Sequence, residues 1–454
     1  MPASPSRAAA FDILLRVERE SSYASELLHS ATYETLSTPD HALATELVMG
    51  VLRWRSRLDD EIAAASSQSL SKLDLEVLIA LRLALYQFRF LDRIPQRAAL
   101  HESVELVKRA RKRSAAPFVN AILRRLSNAQ PAKFPTAEEL SSPEALSRAF
   151  AHPLWMVDRW THEYGLAAAS EICKHNQSIP GTAVRLRDPK AEAQLNQEGI
   201  SLTPGSLLHS ARRVAAGEIT KTQSCRAGEI VIQDEASQLI AALIAPVPLK
   251  PGSRILDCCA APGGKTLAIA DRNPAASITA VELHPHRARL LQKLLGNLIG
   301  ATKIPIVTAD ATRLPVSAAF DRVLADVPCS GTGTLARHPE IKWRLAALDI
   351  AELHERQSAI LRAALAQVAL GGRIIYSTCS LEKEENEDVV EQALAENQSF
   401  RLLDCRTELA TLKAAGDLTW PDPANLTRGP YLRTIPGLHP CDGFFAAILE
   451  RFDS

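Results

Sequence analysis

Several common features are missing from this sequence. Its eight cysteines in 454 residues are too dilute for a disulfide scaffold. They contain no CxxC pair, so no structural zinc site is expected. They read as reduced thiols of a cytoplasmic protein. Neither sign of charge prevails: Lys+Arg and Asp+Glu both number 52, for a formal net charge of zero. This balance excludes a strongly basic coat protein and a chain dominated by an acidic tail. Nucleic-acid binding stays open, because a local basic face is enough. No apolar run approaches the ~20 residues of a membrane span. The longest, Leu239 to Leu249, is broken by Pro246 and Pro248. The N-terminal stretch carries only a short apolar run, interrupted by Asp12, unlike a secretory signal. No coiled coil is visible, and a monomer is expected.

What is present divides the chain. At roughly 100–200 residues per domain the length allows two to four domains, and 46% hydrophobic residues supply real cores. Residues 1–128 are poor in Gly and rich in Ala and Leu, and they predict an all-helical bundle. Ser37-Thr38-Pro39-Asp40 is a helix start. Leu73 to Phe90 is apolar almost all round, as in the buried centre of a bundle, and Ile94-Pro95 ends it. Lys108, Arg109, Arg111, Lys112, Arg113, Arg124 and Arg125 cluster late in the bundle. They read either as a solvated face or as a phosphate-binding patch for RNA. Residues 129–150 hold three prolines and several Ser and Thr, a linker composition. Residues 151–240 mix a helix, Leu154 to Tyr164, with short alternating segments, and read as a small α/β module. In TAVRLR, Arg185 and Arg187 alternate with apolar residues and would share one strand face. His338, Glu340, Lys342 and Trp343, further on, read either as RNA contacts or as helix-capping residues.

From 241 to 454 the rhythm becomes strand–helix alternation. RILDCCA, SITAVEL, IPIVTAD, DRVLADVP, GRIIYSTC and FFAAILER predict a mostly parallel, doubly wound, Rossmann-like sheet. Such sheets bind ligands at the carboxyl ends of their strands, and the unusual residues stand there. After the first strand comes Asp257, Cys258, Cys259, Ala260, Ala261, Pro262, Gly263, Gly264 and Lys265. Small residues and paired glycines let backbone approach a ligand, and the next helix presents its amides. The P-loop pattern fails, since Cys259 stands where its first Gly is needed, and GxGxxG is absent. Glu282 ends the second strand, placed to accept ribose hydroxyls. Asp310 ends the third and Asp326 the fourth. Acids ending four consecutive strands after a Gly-rich turn match S-adenosylmethionine binding.

Cys329 follows the fourth strand and Cys379 the fifth, so both should face one crevice. Free cysteines are commonly packing residues, but two at strand ends suggest nucleophilic chemistry. A thiolate adds readily to C6 of a pyrimidine, which makes C5 able to attack a sulfonium methyl. A second group must then take the C5 proton. The spacing leaves open which cysteine attacks.

CCAAPGGKT, DVPCSGTGT with RHPEIKW, YSTCSLEKEENE and DGFFAAILER resemble the RNA 5-methylcytosine methyltransferase family. VMGVLRW, ALYQFRFLDRIP and PFVNAILRR resemble the antitermination-factor (NusB-like) helical domain that precedes the catalytic domain in bacterial enzymes for small-subunit (16S) ribosomal RNA. The resemblance spans nearly the whole chain. It implies that Cys379 is the nucleophile, that Cys329 acts in release, and that Asp326 lies by the cytosine N3 and N4 and the methyl donor. Cys259 to Lys265 would wrap the methionine part of S-adenosylmethionine, Glu282 would hold the ribose, and Asp310 would lie beside the adenine. The implied partner is naked or early-assembly 16S rRNA, gripped by the bundle and the middle module. Two alternatives are a transfer RNA cytosine-C5 methyltransferase and a non-catalytic RNA-binding factor. A small-molecule methyltransferase would leave the helical domain unexplained. The run Glu384 to Glu387 is expected to begin a helix, its acids suiting the positive end of the dipole.

Overall fold

The computed structural model describes residues 3–20, 22–33, 35–131, 133–298, 304–315 and 319–453. The chain forms two compact units, Met1–Ile179 with Leu335–Leu345, and Pro180–Thr334 with Ala346–Ser454. No helix among the described residues is long and apolar enough to cross a membrane.

The first unit is helical, as composition predicts. Ser37 caps the helix Thr38–Ala65, its side chain accepting from the Asp40 N–H, with Pro39 in the first turn. The helix Leu75–Phe90 buries Val77 and every residue from Ile79 to Gln87, so it is the bundle centre that its uniform apolarity predicts. One of those residues is Arg82, which its bidentate pairing with Asp59, at 2.7 Å for both bonds, makes tolerable. The unit does not stop at the linker 129–150. It continues through helices Leu154–Tyr164 and Leu166–Gln177, which the composition reading grouped with the middle module.

The second unit holds two sheets. In the smaller, β1 (Ala183–Leu186), β2 (Ser201–Pro204), β3 (Ala211–Ala216) and β4 (Ile230–Ile232) lie antiparallel in the order β2-β3-β1-β4. The larger contains β5 (Arg254–Asp257), β6 (Ser277–Glu282), β7 (Ile306–Thr308), β8 (Phe320–Asp326), β9 (Val368–Thr378), β10 (Phe400–Leu403), β11 (Thr427–Arg428), β12 (Tyr431–Thr434) and β13 (Phe444–Arg451). Its order is β11-β12-β13-β9-β8-β5-β6-β7, with β10 also on β13. Strands β7, β6, β5, β8 and β9 are parallel. The last strand, β13, runs antiparallel to β9.

Alternation along the parallel strands feeds two cores. Ile255, Leu324 and Ile375 pack with the helix Glu235–Leu243 on one face. Leu256, Val323, Ala325, Ile374 and Tyr376 pack on the other, with the helices Asp349–Leu365 and Glu387–Glu396. The chain reverses direction across the sheet between β5 and β8, and that is where such a sheet opens a ligand crevice.

Candidate active site

The crevice is built from loops leaving β5, β6, β8 and β9. Asp257 closes β5, and its carboxylate accepts from the Thr266 hydroxyl at 2.7 Å and from the Cys259 N–H at 3.4 Å. Burial drives its pKa up to about 6, against those hydrogen bonds. The bonds tie the first turn of helix Gly264–Arg272 to the strand end. Between them Gly263 adopts φ +112°, and a Cβ there would come 2.6 Å from Leu291 Cδ1. The loop can therefore carry no side chain at that point. Beside Gly264 stands Gln233, whose Oε1 is buried without a hydrogen-bond partner in the protein.

Glu282, nearly fully buried at the end of β6, accepts from the His284 N–H at 2.9 Å. Asp310 accepts from the Thr312 N–H at 2.9 Å, and that bond holds its carboxyl below the usual range. A backbone cradle at a helix N-terminus, an orphaned buried acceptor and acids at successive strand ends fit a nucleoside bearing a charged amino-acid tail. Cys258 and Cys259 have thiols pushed far up by burial, which makes them inert packing groups in the cradle wall.

At the end of β8, Asp326 binds Lys265 Nζ at 2.8 Å and the Ser377 hydroxyl at 2.8 Å. Burial alone would lower the Lys265 pKa, but the Asp326 charge and hydrogen bond hold it above its ordinary value. Lys265 also lies 5.0 Å above the Phe444 ring. It thus belongs to the cysteine side of the crevice, as a partner of Asp326.

The two strand-end cysteines meet. Cys329 Sγ and Cys379 Sγ are 3.2 Å apart, and the Cys379 N–H points at Cys329 Sγ at 3.3 Å. Both are half-buried. The hydrogen bond to Cys379, together with burial, pushes the Cys329 thiol well up. Behind them Gly333 N donates to Cys379 O at 2.9 Å, and Gly443 N to Gly333 O at 2.8 Å. These glycines and the buried Arg433 were not singled out by the sequence reading, and the buried Glu385 was read there only as part of a helix start. The signal available was the SGTG and DGFF glycines.

The structure gives partners to three groups of residues. Glu340 stands at the N-cap position of the helix Ile341–Arg344 without a side-chain capping bond, and the side chains of His338, Glu340, Lys342 and Trp343 are engaged within the protein. They sit within the helical unit, where Lys342 Nζ donates to Arg53 O and Ala151 O at 2.9 and 3.0 Å, and Trp343 Nε1 to Leu52 O at 2.6 Å. Glu340 accepts from the Ala24 N–H at 2.9 Å, and His338 meets the Tyr23 ring edge-on. Arg185 and Arg187 do share a target, but it is Asp271 on the cofactor-loop helix, at 2.8 and 2.7 Å. That pairing sets one carboxylate between two guanidinium groups and turns both side chains toward the helix Gly264–Arg272. The basic cluster is also partly spent internally: Lys108 pairs with Glu105, Arg109 with Asp12 and Lys112 with Asp74. Arg111, Arg113 and Arg124 are exposed.

Comparison with known proteins matches residues 244–450 to the 16S rRNA methyltransferase RsmB/F family and residues 4–128 to the NusB family. The probable ribosomal RNA small subunit methyltransferase B of Bacillus subtilis is 33% identical, over 98% of both chains. The ribosomal RNA small subunit methyltransferase B of Vibrio cholerae is 31% identical, over 98% of this chain and 97% of its own. Among solved structures, PH0851 shares the fold across 99% of this chain and 100% of its own, at 22% identity and a TM-score of 0.81.

Proposed function

Because the chain belongs to the 16S rRNA methyltransferase RsmB/F family, we propose that it methylates C5 of a cytosine in 16S ribosomal RNA through a covalent cysteine–C6 adduct. It is an S-adenosylmethionine-dependent methyltransferase. When bound, that cofactor supplies a methyl on a positively charged sulfur, open to attack by a carbon nucleophile. Cys259, Ala260, Ala261, Pro262, Gly263, Gly264 and Lys265 would hold its amino-acid end, Glu282 its ribose and Asp310 its adenine side, with Asp326 at the junction with the base.

The observation that carries the reading is the 3.2 Å approach of Cys329 and Cys379 at adjacent strand ends, beside a carboxylate already oriented by Lys265 and Ser377. Asp326 would accept from the N4 amino group of the target cytosine, beside its N3. Cys379, as thiolate, adds to C6, and the electron pair displaced from the ring makes C5 nucleophilic. After methylation C5 carries both methyl and hydrogen. Release requires a base to take that hydrogen as a proton, while the C6–S bond breaks and its electrons return to Cys379. At rest Cys329 is held protonated, first by its bond to Cys379 and then by burial. To act as the base of release Cys329 must first give that proton to solvent; as a thiolate, 3.2 Å from the Cys379 sulfur, it then takes the C5 proton. The reacting base must leave its stack to reach this crevice. The exposed Arg111, Arg113 and Arg124 would contact RNA phosphates.

The test is transfer of labelled methyl from S-adenosylmethionine to protein-free 16S rRNA, followed by nucleoside analysis. Label in 5-methylcytidine, lost in Cys379→Ala, is expected. Label confined to a transfer RNA pool would replace the substrate, and no label in either would overturn the enzymatic reading.

A further inference from the structure

The acidic run Glu384–Glu387 does introduce a helix, Glu387–Glu396, but dipole matching does not explain Glu385. That residue precedes the helix and is fully buried, at 0% exposure. Its carboxylate is aimed at the backs of both cysteine loops. Oε1 accepts from the Ser330 backbone N–H at 2.8 Å and from Gln357 Nε2 at 2.8 Å. Oε2 accepts from the Ser380 hydroxyl at 2.5 Å and from the Ser330 hydroxyl. Ser330 follows Cys329, and Ser380 follows Cys379. Gln357 Nε2 also donates to Pro328 O, just before Cys329, at 2.9 Å. The neighbours of Glu385 grip the same loop: Asn386 Nδ2 donates to Ser380 O at 3.0 Å, and Arg433, paired with Glu387 at 2.7 Å, donates to Ser380 O at 3.2 Å.

A buried carboxylate is costly unless several donors meet it. Here four do, three from the two cysteine loops and one, Gln357, from the helix Asp349–Leu365. An apolar residue could fill the space, but it would leave the Ser330 N–H and one N–H of the Gln357 amide unpaired. We propose that Glu385 is a positioning residue that locks the Cys329 and Cys379 loops into one register, so that release can follow attack. The proposal rests on the two-cysteine reading above. Attack requires only that Cys379 be aligned with the base. Release requires Cys329 to be aligned with an adduct that Cys379 holds. Loss of register therefore falls on release first.

The experiment compares Glu385→Ala, Glu385→Gln, Cys329→Ala and Cys379→Ala with the wild type. Each is incubated with protein-free 16S rRNA and labelled S-adenosylmethionine, and both product and covalent protein–RNA complex on a denaturing gel are measured. For Glu385→Ala, kcat is expected to fall about 100-fold, as for a displacement near 1 Å, with KM for the methyl donor changed less than about two-fold. A slow covalent band should accumulate, as in Cys329→Ala. Glu385→Gln should recover about ten-fold or more of that loss, because its carbonyl can serve the two N–H donors while its NH2 donates to the serine oxygens. A covalent band with Cys329→Ala but none with Glu385→Ala overturns the proposal, as does an unchanged kcat. If Glu385→Ala does not fold, the double variant Ser330→Ala, Ser380→Ala removes both hydroxyl links while keeping the N–H contacts, and it is read in the same way. No band with Cys329→Ala overturns the two-cysteine reading, and this proposal with it.

Discussion

A single methyl group at Gly333 tests how tightly the cysteine site is held. A Cβ there would stand 2.2 Å from Gly443 O, 2.8 Å from Gly443 C and 2.9 Å from Cys379 O. All three are backbone atoms, so no side chain can swing aside. Relief to an ordinary contact demands a displacement of about 1 Å, shared between the Cys379 turn and the turn entering β13. Overpacking of this kind costs ~1–3 kcal/mol, a drop of roughly 2–10 °C in Tm for a unit of this size. The larger effect should be on rate, since about 1 Å of misplacement at reacting groups is worth ~100-fold. Gly333→Ala is thus expected to bind S-adenosylmethionine, to lose a few degrees in a thermal melt, and to fall about 100-fold in methyl transfer. Gly371→Ala is the control. Its φ is +72°, but an added methyl meets nothing within 4 Å, so it should lose stability and keep its rate. Gly333→Ala with full activity, or a Gly371→Ala rate that falls equally, would refute the claim that close backbone contact sets the cysteine geometry.

Three further outcomes are expected. Cys329→Ala should trap enzyme on RNA under turnover conditions as a band resistant to denaturant, and the double variant Cys329→Ala, Cys379→Ala should show none; a band in the double variant would place the nucleophile elsewhere. Asp257 has a folded-state pKa raised to about 6 from 3.8, so the folded state favours its protonated form and the group weakens the protein as pH rises through that window. Relative to Asp257→Asn, the wild type should lose about 3 kcal/mol between pH 3 and 7 and no more above, measured by urea unfolding of the cofactor-free protein; a constant gap would refute the assignment. Replacing Arg111, Arg113 and Arg124 by Ala should weaken RNA binding and shallow its dependence on log salt by about two, with S-adenosylmethionine affinity unchanged; an unchanged salt slope would move the RNA contact to another face.

The parts of this protein that could be read from sequence are those governed by local rules. The parallel strands β5 to β9 are short apolar runs punctuated by turn residues, and the central helix Leu75–Phe90 is apolar on all sides. Both patterns follow from burial alone. The C-terminal strands β10, β11 and β12 were not legible. Each has four residues or fewer and is held by its pairing with β13 or, for β11, with β12, rather than by its own periodicity. The crevice acids and cysteines were found because parallel sheets collect function at carboxyl ends whatever the sequence between.

What could not be read is where charge goes when it is buried. Arg185 and Arg187 look like a basic strand face until Asp271, more than eighty residues on, is known to lie between them. Lys342 and Glu340 look like a polar RNA-facing turn until backbone groups of the helical unit are found at their tips. Glu385 looks like the start of a helix. In each case the partner is a backbone group or a side chain far away in the chain, and no spacing rule reports it. This has a consequence for the chemistry. On the proposed mechanism the cysteines supply the reactive atoms, and their separation is set by Glu385, Gly333 and Gly443, none of which need touch the substrate. A chain could keep both cysteines and every cofactor residue, lose one of these three, and still bind RNA and S-adenosylmethionine without completing turnover. Activity in relatives of this chain should therefore follow the buried supports as closely as it follows the thiols.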